Sequence, residues 1–328
     1  MTKQISGTRF NTNSFAPIAV ATRNGTDESL YHGAGVVLGS NGSTTASIGD
    51  PELAIHPRSS LKPFQASAMV RLGLKLPHRL LAVVAASHSG EQQHLDAVSE
   101  ILDQFGLSVD DFLNTPDRPY GVDAKHASIA SGIDPSKLQQ NCSGKHAGML
   151  ATCRVNAWAL DSYLDPEHPL QQAITQEIDR LSGRAGGAVL DVGIDGCGAP
   201  THVMALVDVA RSLSTMLREG SDVVEAMATS PLLVGGSDRD VTLWMQAVPG
   251  LAAKEGAAGV MVMGLPDGRA AALKIADGSD LVRRAVGVEL LRMLDVDVDG
   301  ELSPVRDAVA VQVLGHGIPV GSLEPLRW

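Results

Sequence analysis

The segment Arg58-Ser59-Ser60-Leu61-Lys62-Pro63-Phe64 decides how this chain of 328 residues is read. A proline that fits only the first turn of a helix puts a helix start near Ser59. Ser59 and Lys62 then lie three residues apart on one helix face, with the amine in reach of the hydroxyl. A serine hydroxyl needs a base to become a nucleophile. Lysine serves once burial or a second cation lowers its ammonium toward neutrality. At a helix start, the dipole and the free backbone amides also favour a developing oxyanion. A capped helix carrying an exposed lysine has the same spelling, so the surrounding sequence must separate the two readings.

Upstream of this segment, residues 18–22, 35–38 and 44–48 are β-branched or apolar runs, bounded by the turn pairs Asn24-Gly25 and Asn41-Gly42. Downstream, from Ser60 to about Thr229, the spacing is mostly helical, as in Leu95, Val98, Ile101, Leu102 and Phe105, and again in Val203, Leu206, Val207 and Ala210. After Lys254 the chain returns to strands at 259–263 and 270–275, joined by Pro266-Asp267-Gly268, and then to an amphipathic helix over 281–294. The order predicts an α+β fold in which N- and C-terminal strands share an antiparallel sheet and the middle is largely helical. One domain is expected over 1–328, its α/β part about 1–60 and 250–328 and its helical part about 61–249.

Composition narrows the function. A net charge of −11 with 3% aromatic residues argues against nucleic acid, which asks for a basic face and stacking rings. With 44% hydrophobic residues the chain can bury a large core. The first twenty residues carry Lys3 and Arg9 but no apolar run, and no window approaches the roughly 20 apolar residues of a membrane helix, so a cytoplasmic protein is expected. Three cysteines, Cys142, Cys153 and Cys197, are an odd set for a disulfide framework and raise thiol or metal chemistry instead.

Two further groups belong with Ser59 and Lys62. Serine β-lactamases and penicillin-binding proteins follow Ser-x-x-Lys with a polar element in the helical region and Lys-Thr-Gly on a strand. Here Ser87, in Ser87-His88-Ser89-Gly90-Glu91, and Lys254, in Lys254-Glu255-Gly256, come in that order. Glu255 replaces the hydroxyl residue and no Ser-Asp-Asn is present, which disfavours a β-lactam hydrolase. The second group is Cys142, Lys145 and Cys197. Cys142 and Lys145 share a face if a helix runs over 143–154, and Cys197 falls in a glycine-rich turn after a strand at 189–192. Two thiolates and an amine would give zinc three ligands and an open fourth position. Small buried apolar residues, as expected for Cys153 among Met149, Leu150 and Ala151, or a redox pair are the competing readings.

Taken together, these segments resemble the asparaginase II family, the rhizobial-type L-asparaginases. The similarity runs through Arg58 to Ala66, Ser87 to Glu91, Asn141-Cys142-Ser143-Gly144-Lys145-His146-Ala147-Gly148-Met149-Leu150, Asp195-Gly196-Cys197-Gly198-Ala199-Pro200 and Lys254 to Gly259. The resemblance implies a fold like that of serine β-lactamases and glutaminases, hydrolysis of L-asparagine to aspartate and ammonia, and a homodimer. It also implies two Ser-Lys tandems, Ser59 with Lys62 and Ser87 with Lys254, and a zinc-type site at Cys142, Lys145 and Cys197. Arg58 and Asp195 are expected to take the substrate's carboxylate and ammonium by charge complementarity, with Asn141 and His146 as further contacts. The loop Gly235-Gly236-Ser237-Asp238-Arg239-Asp240 matches the family loosely, and Arg239 has no assigned role. A glutaminase or other small-amide hydrolase, and a non-catalytic thiol- or zinc-binding protein, are the alternatives.

Overall fold

A computed structural model describes residues 10, 11 and 13–328. The reading of the N-terminal stretch around Lys3 and Arg9 lies outside the described residues. Among the described residues, eleven strands form two sheets. They are β1 (Ala16–Arg23), β2 (Thr26–Leu38), β3 (Thr44–Ile48), β4 (Ala54–Ile55), β5 (Asp191–Ile194), β6 (Pro200–Ala205), β7 (Ala252–Gly256), β8 (Val260–Gly264), β9 (Ala270–Ile275), β10 (Val311–Gly315) and β11 (Ile318–Pro325). The helices are α1 (Lys62–Arg71), α2 (His78–Val84), α3 (Gln92–Gln104), α4 (Val122–Ala130), α5 (Ser143–Val155), α6 (Pro169–Ser182), α7 (Leu206–Arg218), α8 (Asp222–Thr229), α9 (Pro231–Val234), α10 (Asp240–Ala247), α11 (Asp280–Met293) and α12 (Ser303–Ala308).

The large sheet is antiparallel, in the order β10-β11-β1-β2-β9-β8-β7, with β3 paired to the end of β2. N- and C-terminal strands meet where β2 pairs β9, with Gly33 opposite Ile275 and Leu38 opposite Ala270. The expected shared sheet is therefore present. Asn24 and Gly25 both take positive φ, 49° and 78°, and close the two-residue β1–β2 hairpin, because only a primed turn matches the twist of its strands. Strands β7, β8 and β9 are buried along their whole length. Helices α7 and α11 pack on this sheet, which is why these strands read as continuous apolar runs instead of alternating.

Helices α1 to α10 occupy most of the middle of the chain, but one expectation there fails. Val203 is not helical; it pairs with Asp191 in a three-stranded antiparallel sheet of order β4-β6-β5, and α7 begins only at Leu206. The apolar spacing ran on across the strand–helix boundary because both sides face the core. At the centre, α2 and α5 cross at Gly144, where an added Cβ would lie 2.1 Å from the Val83 carbonyl oxygen. That close approach brings the N-terminus of α5 beside the segment that leaves α2, Ala85-Ala86-Ser87. Among the described residues no helix is long and apolar enough to cross a membrane.

Candidate active site

Residues Arg58–Leu61 form a single 3₁₀ turn that runs into α1, with Pro63 in the first turn of that helix. Strand β7 lies against this turn, and the Ser60 hydroxyl donates to the Lys254 carbonyl over 3.2 Å. Gly256 makes that contact feasible, since a Cβ there would sit 2.2 Å from the Pro57 carbonyl oxygen. Ser59 and Ser87 line one cavity together with Tyr120, Asn141, Arg239, Glu255 and Asp280. Its volume of about 70 Å³ is well below that of drug-sized ligand sites and leaves room only for a small molecule.

The lysines meet on Ser87. Lys254 Nζ donates to Ser87 Oγ over 2.8 Å and Lys62 Nζ over 3.0 Å. The expected Ser59–Lys62 hydrogen bond is not made. Lys62 gives its other bonds to the carbonyls of Ala86, at 2.5 Å, and Asn141, at 3.4 Å. A buried ammonium needs an acceptor for each of its three protons, and the segment after α2 together with Asn141 supplies them where the side of a helix turn does not. Ser59 is half-buried, whereas Ser87 is only 3% exposed.

Electrostatics set Lys254 apart from a surface lysine. Burial pulls the Lys254 ammonium down to about 8, Glu255 partly opposes this, and the Lys62 charge adds to it. Glu255 accepts from Lys254 Nζ and Arg239 Nη2 through the same oxygen, both at 2.9 Å. Burial alone would raise its carboxyl, but the charges of Lys254, Arg239 and Arg283 outweigh that and hold it down at about 2. Arg239 also lies 4.5 Å from the centroid of the Tyr120 ring, a cation–π contact.

Three of the four expected substrate contacts are placed differently. Arg58 and Asp195 bind each other, Nε to Oδ1 at 2.8 Å, and neither lines the cavity. His146 is wholly buried, with Nδ1 2.8 Å from the Tyr163 hydroxyl, and does not line the cavity. Only Asn141 lines the cavity, and its carbonyl also accepts from the His88 amide.

Cys142, Lys145 and Cys197 do come together. Lys145 Nζ donates to Cys197 Sγ over 3.1 Å, and the Cys142 thiol, which donates to Asn141 Oδ1 over 3.2 Å, packs beside Cys197. All three cysteines are free, and Cys153 is a core residue as expected. The neighbouring Cys142 thiol and the Lys145 charge pull the Cys197 thiol down to about 4, while Cys197 and burial push Cys142 up to about 12. Burial opposes the charge of Lys145, yet the neighbouring sulfurs and Asp195 hold that charge in place. Two sulfurs and an amine buried side by side are a donor set that fits a zinc-type ion.

Arg239, Tyr120 and Asp280 are the cavity residues that spacing alone did not mark. A signal for Arg239 existed in its loop. The Ser87–Glu91 segment is tied to residues 234–238 by Ser87 N to Val234 O, Ser89 N to Gly235 O, and Ser237 N to Glu91 Oε1 at 2.7 Å.

The family model for L-asparaginase II matches residues 19–325, so the chain belongs to that family. No curated protein matches the sequence. Among solved structures, the chain is similar to a β-lactamase from Mycobacterium bovis, at 15% identity and a TM-score of 0.38, over 80% of this chain and 94% of that one.

Proposed function

We propose that this member of the L-asparaginase II family is an amidohydrolase that converts L-asparagine to L-aspartate and ammonia through a serine acyl-enzyme. The observation that carries the proposal is the Ser87 hydroxyl between two buried amines, Lys62 and Lys254, in the cavity that Ser59 also lines. Ser59, the more accessible serine, attacks the side-chain amide carbon while its proton passes by way of the Ser87 hydroxyl to the neutral amine of Lys254. The same proton goes on to the leaving nitrogen, the C–N bond breaks, and ammonia departs, leaving an aspartyl ester on Ser59. Water then loses a proton to the amine, cleaves the ester and releases aspartate, which restores the serine. Ser87 passes protons between Ser59 and Lys254. A second reading makes Ser87 the nucleophile, and its two amine contacts against none for Ser59 favour it.

A zinc-type ion would be held by Cys142, Lys145 and Cys197, where it would fix these side chains behind the α5 N-terminus and leave a fourth, Lewis-acidic position. The chain's own link from that pocket to the cavity is Asn141, which precedes Cys142 and bonds Lys62 through its carbonyl. Asparagine and glutamine differ by one methylene, worth about 1 to 3 kcal/mol in discrimination, so a glutaminase side activity is expected to be weaker by about that factor. A homodimer and a cytoplasmic location complete the proposal, with light scattering as the test of the former.

Ammonia release from L-asparagine and L-glutamine, measured on wild type, Ser59→Ala and Ser87→Ala, tests the reading. Activity on asparagine that vanishes in both variants, with an aspartyl mass adduct trapped on Ser59 in a rapid acid quench, supports it. An adduct on Ser87 selects the second reading. No ammonia from either amide leaves the thiol- or zinc-binding protein as the better account.

A further inference from the structure

The cavity contains two opposite charges that do not neutralise each other, Arg239 and Asp280. We propose that they form a clamp for the zwitterionic head of an α-amino acid, with Arg239 on the α-carboxylate and Asp280 on the α-ammonium. This inference rests on the reading of the same cavity as an amide-hydrolysing site, and it assigns the part that selects the substrate class.

Three observations support the assignment. First, the pair that charge alone suggested, Arg58 and Asp195, is bound to itself and neither residue lines the cavity, so a zwitterion in the cavity must find its counter-charges elsewhere. Second, Arg239 is 9% exposed and directs two of its five N–H groups to Glu255 and the Ser87 carbonyl, which leaves donors on a planar fork suited to a carboxylate. The Tyr120 ring and the Glu255 bond fix its position without saturating it. Third, of the two carboxylates lining the cavity, Glu255 is not available. Its Oε1 already accepts from Lys254 and Arg239, and its Oε2 is closed off from solvent. The Asp280 side chain is 61% exposed, and only Oδ1 is engaged, by Arg283 Nε at 2.6 Å. Among the described residues Oδ2 has no hydrogen-bond donor.

Asp280 also stands on a firm base. It opens the fourteen-residue helix α11 behind the Ser279 cap, and Arg283, which holds it, is itself anchored by Asp240 at 2.8 Å. Asp240 follows Arg239 in the chain, so one short network sets the spacing of both charges. An amide with neither ammonium nor carboxylate would enter the cavity without meeting this clamp.

The test is binding by titration calorimetry, with L-aspartate, succinate and β-alanine as probes, on wild type, Asp280→Asn and Arg239→Lys. Succinate lacks the ammonium and β-alanine lacks the α-carboxylate. Wild type is expected to bind L-aspartate at least about tenfold more tightly than either, as for one charged hydrogen bond. Asp280→Asn, which keeps an acceptor for Arg283, should weaken L-aspartate by about tenfold and leave succinate unchanged. Arg239→Lys should weaken L-aspartate and succinate together and leave β-alanine unchanged. Equal binding of the three probes to wild type, no measurable binding, or an Asp280→Asn loss that is the same for L-aspartate and succinate would overturn the clamp. Ammonia release separates this from the hydrolytic reading. An Asp280-dependent preference with no ammonia from asparagine retains the clamp and sinks hydrolysis, while ammonia release with no such preference does the reverse.

Discussion

Lys254 Nζ donates to Ser87 Oγ over 2.8 Å from a position wholly cut off from water. That relation makes one proton the control point of the cavity. Burial brings the Lys254 ammonium down to about 8, and a base accepts a proton only in its neutral form. Raising the pH through about 8 therefore increases the neutral fraction, and lowering it reduces that fraction by about tenfold per unit. The expected outcome is a kcat/KM for asparagine that climbs between about pH 6 and 8 and levels off above. A profile flat over that range, measured by ammonia release in constant ionic strength buffers, would remove lysine as the base.

Glu255 tunes that limb. Its carboxylate, 2.9 Å from Lys254 Nζ, favours the charged amine and works against burial. Glu255→Gln removes the negative charge but keeps an acceptor, so Lys254 should lose its proton at lower pH. The rising limb is expected to move toward acid by about one unit, at some cost in stability because Arg239 loses its counter-charge. An unmoved limb in a variant that melts cooperatively would show that Glu255 does not act on Lys254.

Gly256 should tolerate no side chain. A Cβ there would lie 2.2 Å from the Pro57 carbonyl oxygen and 2.8 Å from Ser60 Oγ, so β7 would have to move away from the turn that carries Ser59. Displacements of about 1 Å between catalytic groups cost on the order of a hundredfold in rate. Gly256→Ala is expected to lower kcat/KM by about that factor while the urea transition stays cooperative. Wild-type activity in this variant would mean that the spacing of β7 and the turn is not critical.

Much of this arrangement was legible because local chemistry and fold agreed. Asn24-Gly25 gave its hairpin, Pro63 marked the start of α1, and the spacing of Cys142 and Lys145 put both at one end of α5, beside Cys197. The failures share a physical cause, which is that partners distant in sequence compete with those nearby. Lys62 is three residues from Ser59, yet an ammonium buried to 2% exposure goes where carbonyls gather, at Ala86 and Asn141. Arg58 and Asp195 suited an amino acid's two charges and equally suited each other. Arg239, Tyr120 and Asp280 come from three loops or helix starts that periodicity does not connect. Val203 had helical spacing only because strand and helix shared one buried side.

The sulfur–amine pocket predicts a metal content. Cys142, Lys145 and Cys197 converge without a disulfide, and a zinc-type ion would displace the proton of the Cys142 thiol and one proton of the Lys145 ammonium. Protein purified in zinc-containing buffer and then desalted is expected to carry close to one equivalent by mass spectrometry of the metal. Cys197→Ala should carry none, whatever its activity. Equal zinc in both proteins would place the ion elsewhere.

Arg58 holds a left-handed backbone, φ 54°, directly before Ser59, while its side chain pairs with Asp195 at 2.6 Å. These two features can be separated by two substitutions. Alanine and glycine both remove the ion pair, but only glycine adopts that φ without the clash of a Cβ against the following carbonyl. Arg58→Gly should therefore be more stable than Arg58→Ala by about 1 kcal/mol in urea unfolding, although glycine gives the unfolded chain more freedom and offsets part of the difference. Both should fall below wild type, since Asp195 loses the hydrogen bond that keeps its carboxyl low against the opposing effect of burial. Their activity should follow the same order, because the strained residue sets the direction in which Ser59 leaves the turn. If Arg58→Ala equals or exceeds Arg58→Gly in stability, the left-handed conformation carries no strain that the Arg58–Asp195 pair must hold.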